Sequence, residues 1–224
     1  SGALHVLDGV DLSVGKLANA ARGKLDLVAH WKSELPAADC RVVIGAVYDY
    51  DLPAQRYALE TLSTSIEGEV FDLKGVRAAL TSGRLEMTGE GKLDVQKLAL
   101  DLTANRAAEA LSLKLVAPAL HADAGSVHGD GITLSGRVDS KIRTADLRVL
   151  LKGLEGNAGQ LGVAGLTLDI DARQDGVAVK GSLSTPVSIR IAGPVAELPA
   201  LEGNFEIAHP ALPMKSVKLP VKGA

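Results

Sequence analysis

The most regular stretch of the sequence runs from Gly83 to Leu102, GRLEMTGEGKLDVQKLALDL. Leu85, Met87, Leu93 and Val95 take alternate positions, with Arg84, Glu86, Lys92 and Asp94 between them. Leu98, Leu100 and Leu102 then alternate with Ala99 and Asp101. A period of two is that of a β-strand with one apolar and one wet face. The apolar set passes from odd to even numbers across Gln96-Lys97. A tight turn there explains the change by pairing Val95 with Leu98, Leu93 with Leu100 and Lys92 with Asp101, which keeps the apolar side continuous. Gln-Lys is poor chemistry for a two-residue hairpin turn, which leaves open a β-bulge inside one long strand.

The same alternation recurs along the chain. Val10 to Arg22 mixes a short strand (Val10, Leu12, Val14) with one or two turns at helical spacing (Val14, Leu17, Ala18, Ala21). A strand opens at Gly23, reaches Trp31 and is ended by Pro36, which lacks the donor a ladder needs. Cys40 to Tyr50 is apolar and β-branched, a strand; Asp51-Leu52-Pro53 turns the chain. Arg56 to Val70 changes phase between Leu59 and Leu62, as a bulge near Thr61 would cause. Leu73 to Leu80 fits strand slightly better than a helical turn. Leu111, Leu113 and Leu115 resume the alternation up to Pro118, Leu120 to Asp130 reads as loop, and Ile132 to Ile142 and Leu147 to Leu151 are weaker strands. Gly153 to Gly165 holds five glycines and is expected to be a flexible hinge.

The second clear hairpin joins Leu166, Leu168 and Ile170 to Val177, Val179 and Leu183 through Asp175-Gly176, a favoured two-residue turn. It sets Ile170 opposite Gly181, Leu168 opposite Leu183 and Asp171 opposite Lys180. Val187 to Ile191, Glu202 to Ala208 and Ser216 to Val221 supply the remaining strands. Gly-polar-apolar-polar recurs at Gly23, Gly83, Gly91, Gly136, Gly181 and Gly203 with irregular spacing, a common way to start a strand and no solenoid period.

Composition narrows what such a sheet can do. Of the 224 residues 46% are hydrophobic but only 3% aromatic, so buried surface is lined by Leu, Val, Ile and Ala where an ordinary sandwich core carries more rings. The net charge of −3, from 24 basic and 27 acidic residues evenly spread, offers no field to gather nucleic acid. The single cysteine, Cys40, precludes an intrachain disulfide and sits beside Arg41-Val42-Val43-Ile44 as a small strand hydrophobe. No run approaches the roughly 18 apolar residues of a membrane-spanning helix. The Ser1-Gly2 start suggests flanking segments beyond this sequence.

Candidate chemistry is sparse. His121-Ala122-Asp123 and His128-Gly129-Asp130 are two His-x-Asp units without a third anchored ligand, so a solvated loop is preferred to a metal site. Asp169, Asp171 and Asp175-Gly176 lack calcium-loop spacing, and Gly89-Glu90-Gly91 leads into a strand, against a phosphate cradle. No Gly-x-Ser-x-Gly elbow or paired nucleophile and base is present, and no enzyme, cofactor or metal is expected. Lys215, Lys218 and Lys222 read as a lysine-protected strand edge in preference to a headgroup contact.

The order of features resembles the AsmA family of Gram-negative envelope proteins. The residues that carry the resemblance are Val47-Tyr48-Asp49-Tyr50-Asp51-Leu52 followed by Arg56-Tyr57-Ala58-Leu59 and Ile66-Glu67-Gly68. After them come the segment SGRLEMTGEGKLDVQKLALDLTA from Ser82, the strand end Leu115-Val116-Ala117-Pro118, and Ala208-His209-Pro210-Ala211-Leu212-Pro213. The likeness covers most of the chain from about Val42, except Gly153 to Gly165. It implies a mainly β fold: one elongated domain over residues 1–224, a fragment of a longer chain, built as a long curved antiparallel sheet of meandering strands with a taco-like groove. It also implies a periplasmic protein held at the inner membrane by an N-terminal helix outside this sequence, carrying phospholipid in support of outer-membrane biogenesis. The residues expected to line the groove are Leu93, Val95, Leu98, Leu100, Leu102, Leu111, Leu113, Leu115, Leu166, Leu168, Ile170 and Leu183. The alternatives are an envelope scaffold that binds protein partners by its sheet edges, and a half-barrel lipid carrier, which would need a long covering helix that the sequence lacks.

Overall fold

A computed structural model describes residues 4–191, 195–209 and 217–223. The protein is mainly β, with 15 antiparallel strands and no helix among the described residues. Two compact units divide it, one of residues 1–107 and 119–124, the other of residues 108–118 and 125–224. Residues 153–165, expected as a hinge, therefore fall within the second unit.

In the first unit β1 (His5–Val14), β2 (Gly23–Glu34), β3 (Ala37–Asp51), β4 (Arg56–Val70), β5 (Leu73–Thr88) and β6 (Leu93–Arg106) form a meander, each pairing with the next. Connections are short, as antiparallel hairpins allow: Leu35-Pro36 between β2 and β3, and Phe71-Asp72 between β4 and β5. The bulge expected near Thr61 is present, with Thr61 at φ 51° and a shift of register opposite Gly45 and Val47. The helical turns expected after Val14 are absent. One turn of helix is too short to repay its nucleation, and the 15–22 segment instead runs beside β3. There the Tyr48 hydroxyl donates to the carbonyls of Gly15 and Lys16, and the Ala20 N–H donates to the Tyr50 carbonyl at 2.8 Å.

The phase change at Gln96-Lys97 is an irregularity inside one strand and not a turn, with the register to β5 the same on either side of it. β6 is one strand from Leu93 to Arg106 with Lys97 at φ 53°, and the turn lies earlier, at Gly89 to Lys92. Leu93 and Val95 accordingly pair with Met87 and Leu85, while Leu100 and Leu102 pair with Leu80 and Ala78. The expected Val95–Leu98 and Leu93–Leu100 pairs do not form.

The second unit comprises β7 (Glu109–Ala122, of which 119–122 belong to the first unit), β8 (Val127–Asp130), β9 (Ile132–Asp139), β10 (Arg143–Gly156), β11 (Gln160–Gln174), β12 (Val177–Arg190), β13 (Val195–Glu197), β14 (Leu201–Ala208) and β15 (Val217–Gly223). Its ladder runs β7–β9–β10–β11–β12–β14–β15, with β8 beside β10 and β13 beside β12. The Asp175-Gly176 turn has both residues at positive φ, 51° and 82°, as a two-residue hairpin of this hand requires. The three pairs expected across it, Ile170 with Gly181, Leu168 with Leu183 and Asp171 with Lys180, all form. The stretch 153–165 is a hairpin: Leu154 pairs with Val163 and Gly156 with Leu161, and Gly153, at φ 61°, sits opposite a register shift between Val163 and Leu166. Leu120 to Asp130 is loop only in part, since β7 reaches Ala122 and β8 occupies Val127–Asp130.

Of the repeated Gly-polar-apolar-polar motif, Gly23 and Gly91 stand at or just before a strand start, whereas Gly83, Gly136, Gly181 and Gly203 lie inside strands. Some of these glycines make room for a ring. A Cβ on Gly23 would lie 2.3 Å from the Tyr48 ring, and one on Gly181 2.3 Å from the ring of Phe205, the residues directly opposite them. Such pairing of glycine with a cross-strand aromatic replaces the missing side-chain contact.

Small residues make up the buried interior. The buried apolar side chains are Ala29, Ala38, Cys40, Ala46, Ala58, Val76, Val95, Ala104, Ala117 and Ile132, and none of the described leucines is among them.

Candidate functional site

Because opposed residues of an antiparallel pair share a face, the registers assign every strand position to a side. In the first unit one cross-strand row reads Leu12, Leu27, Ile44, Thr64, Leu80, Leu100, from β1 to β6 without a charged residue. Parallel to it run Ala29, Val42, Ile66, Ala78, Leu102 and Gly23, Tyr48, Leu59, Leu85, Val95. A further row, Tyr50, Tyr57, Met87, Leu93, ends the face; Tyr50 stacks on Tyr48 with ring centroids 6.3 Å apart.

The second unit repeats the pattern. Leu115, Leu134, Val149, Leu168, Leu183 and Gly203 form one row, and Leu113, Gly136, Leu147, Ile170, Gly181 and Phe205 the next. Leu111 begins a third, through Val138, Ala145, Ala172, Val179 and Ile207, and Leu166 lies between Leu151 and Thr185.

Of the twelve residues expected to line a groove, Leu93, Val95, Leu100 and Leu102 thus lie on the aliphatic face of the first unit. Leu98 is two residues before Leu100 on the same strand and shares its side. Leu111, Leu113, Leu115, Leu166, Leu168, Ile170 and Leu183 lie on the aliphatic face of the second. All are half-buried except Val95, which is buried. Sequence reading missed their row partners Leu12, Leu27, Ile44, Leu80, Leu134 and Val149. The signal was present, since each belongs to an alternating run; what was lacking was the register that sets neighbouring runs side by side. Exposure rises where rows approach the strand ends: Met87 is 48% and Tyr57 40% exposed.

The opposite faces are wet and charge-balanced. In the first unit Arg84 donates to Glu86 and, at 3.2 Å, to Glu60; Arg22 also reaches Glu60 at 3.1 Å, and Arg56 pairs with Asp49 at 2.8 Å. The bonds to Glu86, and its charge, hold the Arg84 guanidinium above its ordinary pKa. His30 lies between Asp8 and Asp39. In the second unit Arg137 binds Asp146 through one nitrogen at 2.9 and 3.1 Å and Asp139 through the other at 2.9 Å, which keeps its own pKa raised.

Two of the groups weighed for metal chemistry have other partners. His121 Nδ1 pairs with Asp94, and Asp130 accepts the Gly153 N–H at 2.8 Å. No cluster of three or more His, Cys, Asp or Glu able to hold a metal occurs among the described residues. Cys40 is a buried free thiol pushed up in pKa by burial, and it donates to the Glu69 carbonyl at 3.3 Å. Three surface depressions lie at strand ends and turns, with volumes of about 330, 400 and 370 Å³. The first is lined by Ser140 to Thr144 with Arg173 to Ala178, the second by residues that include Ser126, His128, Glu155 and Gln160, and the third by residues that include Pro53, Gln55, Thr88 and Lys92. Of the three, those around His128 and around Gln55 have mainly polar linings. Among the described residues no helix is long and apolar enough to cross a membrane. Lys215 and residues Pro210 to Pro213 of the resemblance fall outside the described residues.

The class of protein this defines is an all-β antiparallel meander whose units each carry one aliphatic and one ionic face. Comparison with protein-family models, with curated proteins and with solved structures returned no match.

Proposed function

We propose that the chain is a non-enzymatic, lipid-contacting segment of the AsmA type, acting in the periplasm in support of outer-membrane biogenesis, with phospholipid acyl chains lying on the aliphatic faces. The observation that carries this reading is the continuity of the rows together with the absence of any buried leucine among the described residues. Apolar surface on this scale gains from a cover, and in neither unit is the cover a packed interior. The resemblance supplies the compartment and the pathway; the faces supply the chemistry.

The dimensions suit an acyl chain. Six strands spaced about 4.8 Å apart put roughly 24 Å of sheet between Leu12 and Leu100, more than the roughly 15 Å that one leaflet's chains occupy. At about 0.8 kcal/mol per buried methylene, a chain of fifteen with half its surface covered gains about 6 kcal/mol. That is about four orders of magnitude in partitioning, comparable with the reversible membrane binding of one fatty-acyl anchor. Such affinity retains a lipid yet lets it go, as a transfer protein requires.

Native mass spectrometry of the purified protein, followed by lipid extraction, tests the reading. Adducts of phospholipid mass that survive gentle activation are expected. A clean apo mass under the same conditions, after incubation with phospholipid, contradicts it.

A further inference from the structure

Rings that carry a polar group are few in this chain, and they gather on one surface. Tyr48, Tyr50, Tyr57 and Trp31 are all of its tyrosines and its single tryptophan, and the registers place them together on the aliphatic face of the first unit. They stand towards opposite ends of that face. Tyr50, Tyr57, Met87 and Leu93 make the last row at one end, with Tyr48 in the row beside it, whereas Trp31 belongs to the row Trp31, Cys40, Gly68, Val76. Along β3 the step from Tyr50 back to Cys40 is roughly 33 Å of extended strand.

The two ends differ in access and in hydrogen bonding. At the tryptophan end Cys40 is 1% and Val76 4% exposed, and Ala104, two residues beyond Leu102, is 3% exposed, so a ligand finds little open surface there. At the tyrosine end Tyr57 and Met87 are exposed. The Tyr48 hydroxyl is used within the protein, on the carbonyls of Gly15 and Lys16. The hydroxyls of Tyr50 and Tyr57 have no hydrogen-bond partner among the described residues. Two phenol donors thus stand unused where a charge-free row meets water, the setting in which tyrosine is favoured at the boundary of hydrocarbon and headgroup. Just past them, at the β3–β4 and β5–β6 turns, lies the polar depression of about 370 Å³ that Gln55, Thr88 and Lys92 help to line.

We propose that a phospholipid on the first unit's face is bound with one polarity: its ester and headgroup end lies at Tyr50 and Tyr57, whose hydroxyls donate to ester or phosphate oxygens, and its acyl chains run along the strands towards Trp31. The inference rests on the lipid reading and adds to it a direction and the residues that hold the polar end. The lengths agree. Chains of about 15 Å that start at the tyrosine row end between the Ala46 and Ile44 rows, short of the closed end at Cys40. A reversed lipid would bring its ester oxygens to the row of Cys40, Gly68 and Val76, which holds no hydroxyl, and would lay hydrocarbon against two unpaired phenols.

The test uses the whole chain and two photoreactive phosphatidylcholines, one with its diazirine on the headgroup and one with it near the end of an acyl chain. Within the first unit the headgroup probe is expected to label residues 50–57 and 87–92, and the acyl probe the row of Ile44 and Leu80. A second measurement removes the donors and keeps the rings. In the double variant Tyr50→Phe, Tyr57→Phe the affinity for a phosphatidylcholine with a pyrene-labelled chain is expected to fall about tenfold, and the affinity for the matching pyrenyl alkane to stay as it was. Headgroup labelling around Trp31, headgroup labelling spread over the whole face, an unchanged phospholipid affinity in the variant, or an equal fall for both ligands overturns the proposal. Acyl adducts on the aliphatic rows with headgroup adducts away from the tyrosines overturn this inference and leave the lipid reading standing. No adducts from either probe overturn both.

Discussion

Substituting leucine by alanine on the aliphatic faces distinguishes an uncovered face from a packed core by magnitude. Leu100, opposite Leu80, reports on the first unit, and Leu168, between Val149 and Leu183, on the second. Both are half-buried. Three lost methylene equivalents, each about 0.8 kcal/mol when fully buried and here covered from the sides and not from above, remove roughly 1.5 kcal/mol. No cavity penalty follows, since the space opens outward. In a closed core the same change costs about 2.7 to 5 kcal/mol because the cavity persists. Urea denaturation followed by far-ultraviolet circular dichroism measures the difference through the midpoint at constant m. Losses of 1 to 2 kcal/mol at both positions are expected on this scale; a loss near 4 kcal/mol at either means that its leucine is sealed by protein, and refutes the uncovered face.

Further outcomes follow from other parts of the structure. Gly68→Ala is expected to destabilise by about 2 kcal/mol or more in the same titration, because a Cβ there would lie 2.1 Å from the Asp39 carbonyl oxygen. The Cys40 thiol, with its pKa raised by burial, favours the native state in its protonated form. Its contribution is full below the ordinary thiol range and is lost as pH rises through the raised native value, so stability falls on the alkaline side and falls less in Cys40→Ala. Urea midpoints at several alkaline pH values measure this. Arg84→Ala and Glu60→Ala, combined in a double-mutant cycle, should show a coupling of about 0.5 to 1 kcal/mol that weakens in high salt, as befits a partly exposed pair.

Much of the fold was legible because a period of two is insensitive to neighbours. β4 was readable from Arg56 to Val70 with its bulge at Thr61, and Asp-Gly fixed the β11–β12 register, since that turn leaves the flanking residues little freedom. The phase change at Gln96-Lys97 was ambiguous because a bulge and a two-residue turn shift alternation alike. The glycines at 89 and 91, with Gly91 at φ 74°, were the better turn signal. Glycines between 153 and 165 suggested a hinge because composition reports backbone freedom and not ladder pairing. There Gly153 takes a left-handed conformation within the β10–β11 hairpin, where a Cβ would come 2.9 Å from Ala164. The candidate residues were recoverable as alternating leucines, but their row partners on β2, β3, β9 and β10 depend on registers that no single strand encodes. The exposed edge of β1 was not legible either, since an edge strand and an interior strand share one alternating pattern.

Photo-crosslinking with a phospholipid bearing a diazirine near the end of one acyl chain, with adducts mapped by peptide mass spectrometry, shows which face the acyl chain lies on. Adducts are expected on the aliphatic rows, at Leu80, Leu100, Val149, Leu168 and their neighbours, with few on the wet positions Arg84, Arg137 and Asp169. Adducts spread evenly over both faces, or none above the level of a soluble control protein, would contradict the lipid reading.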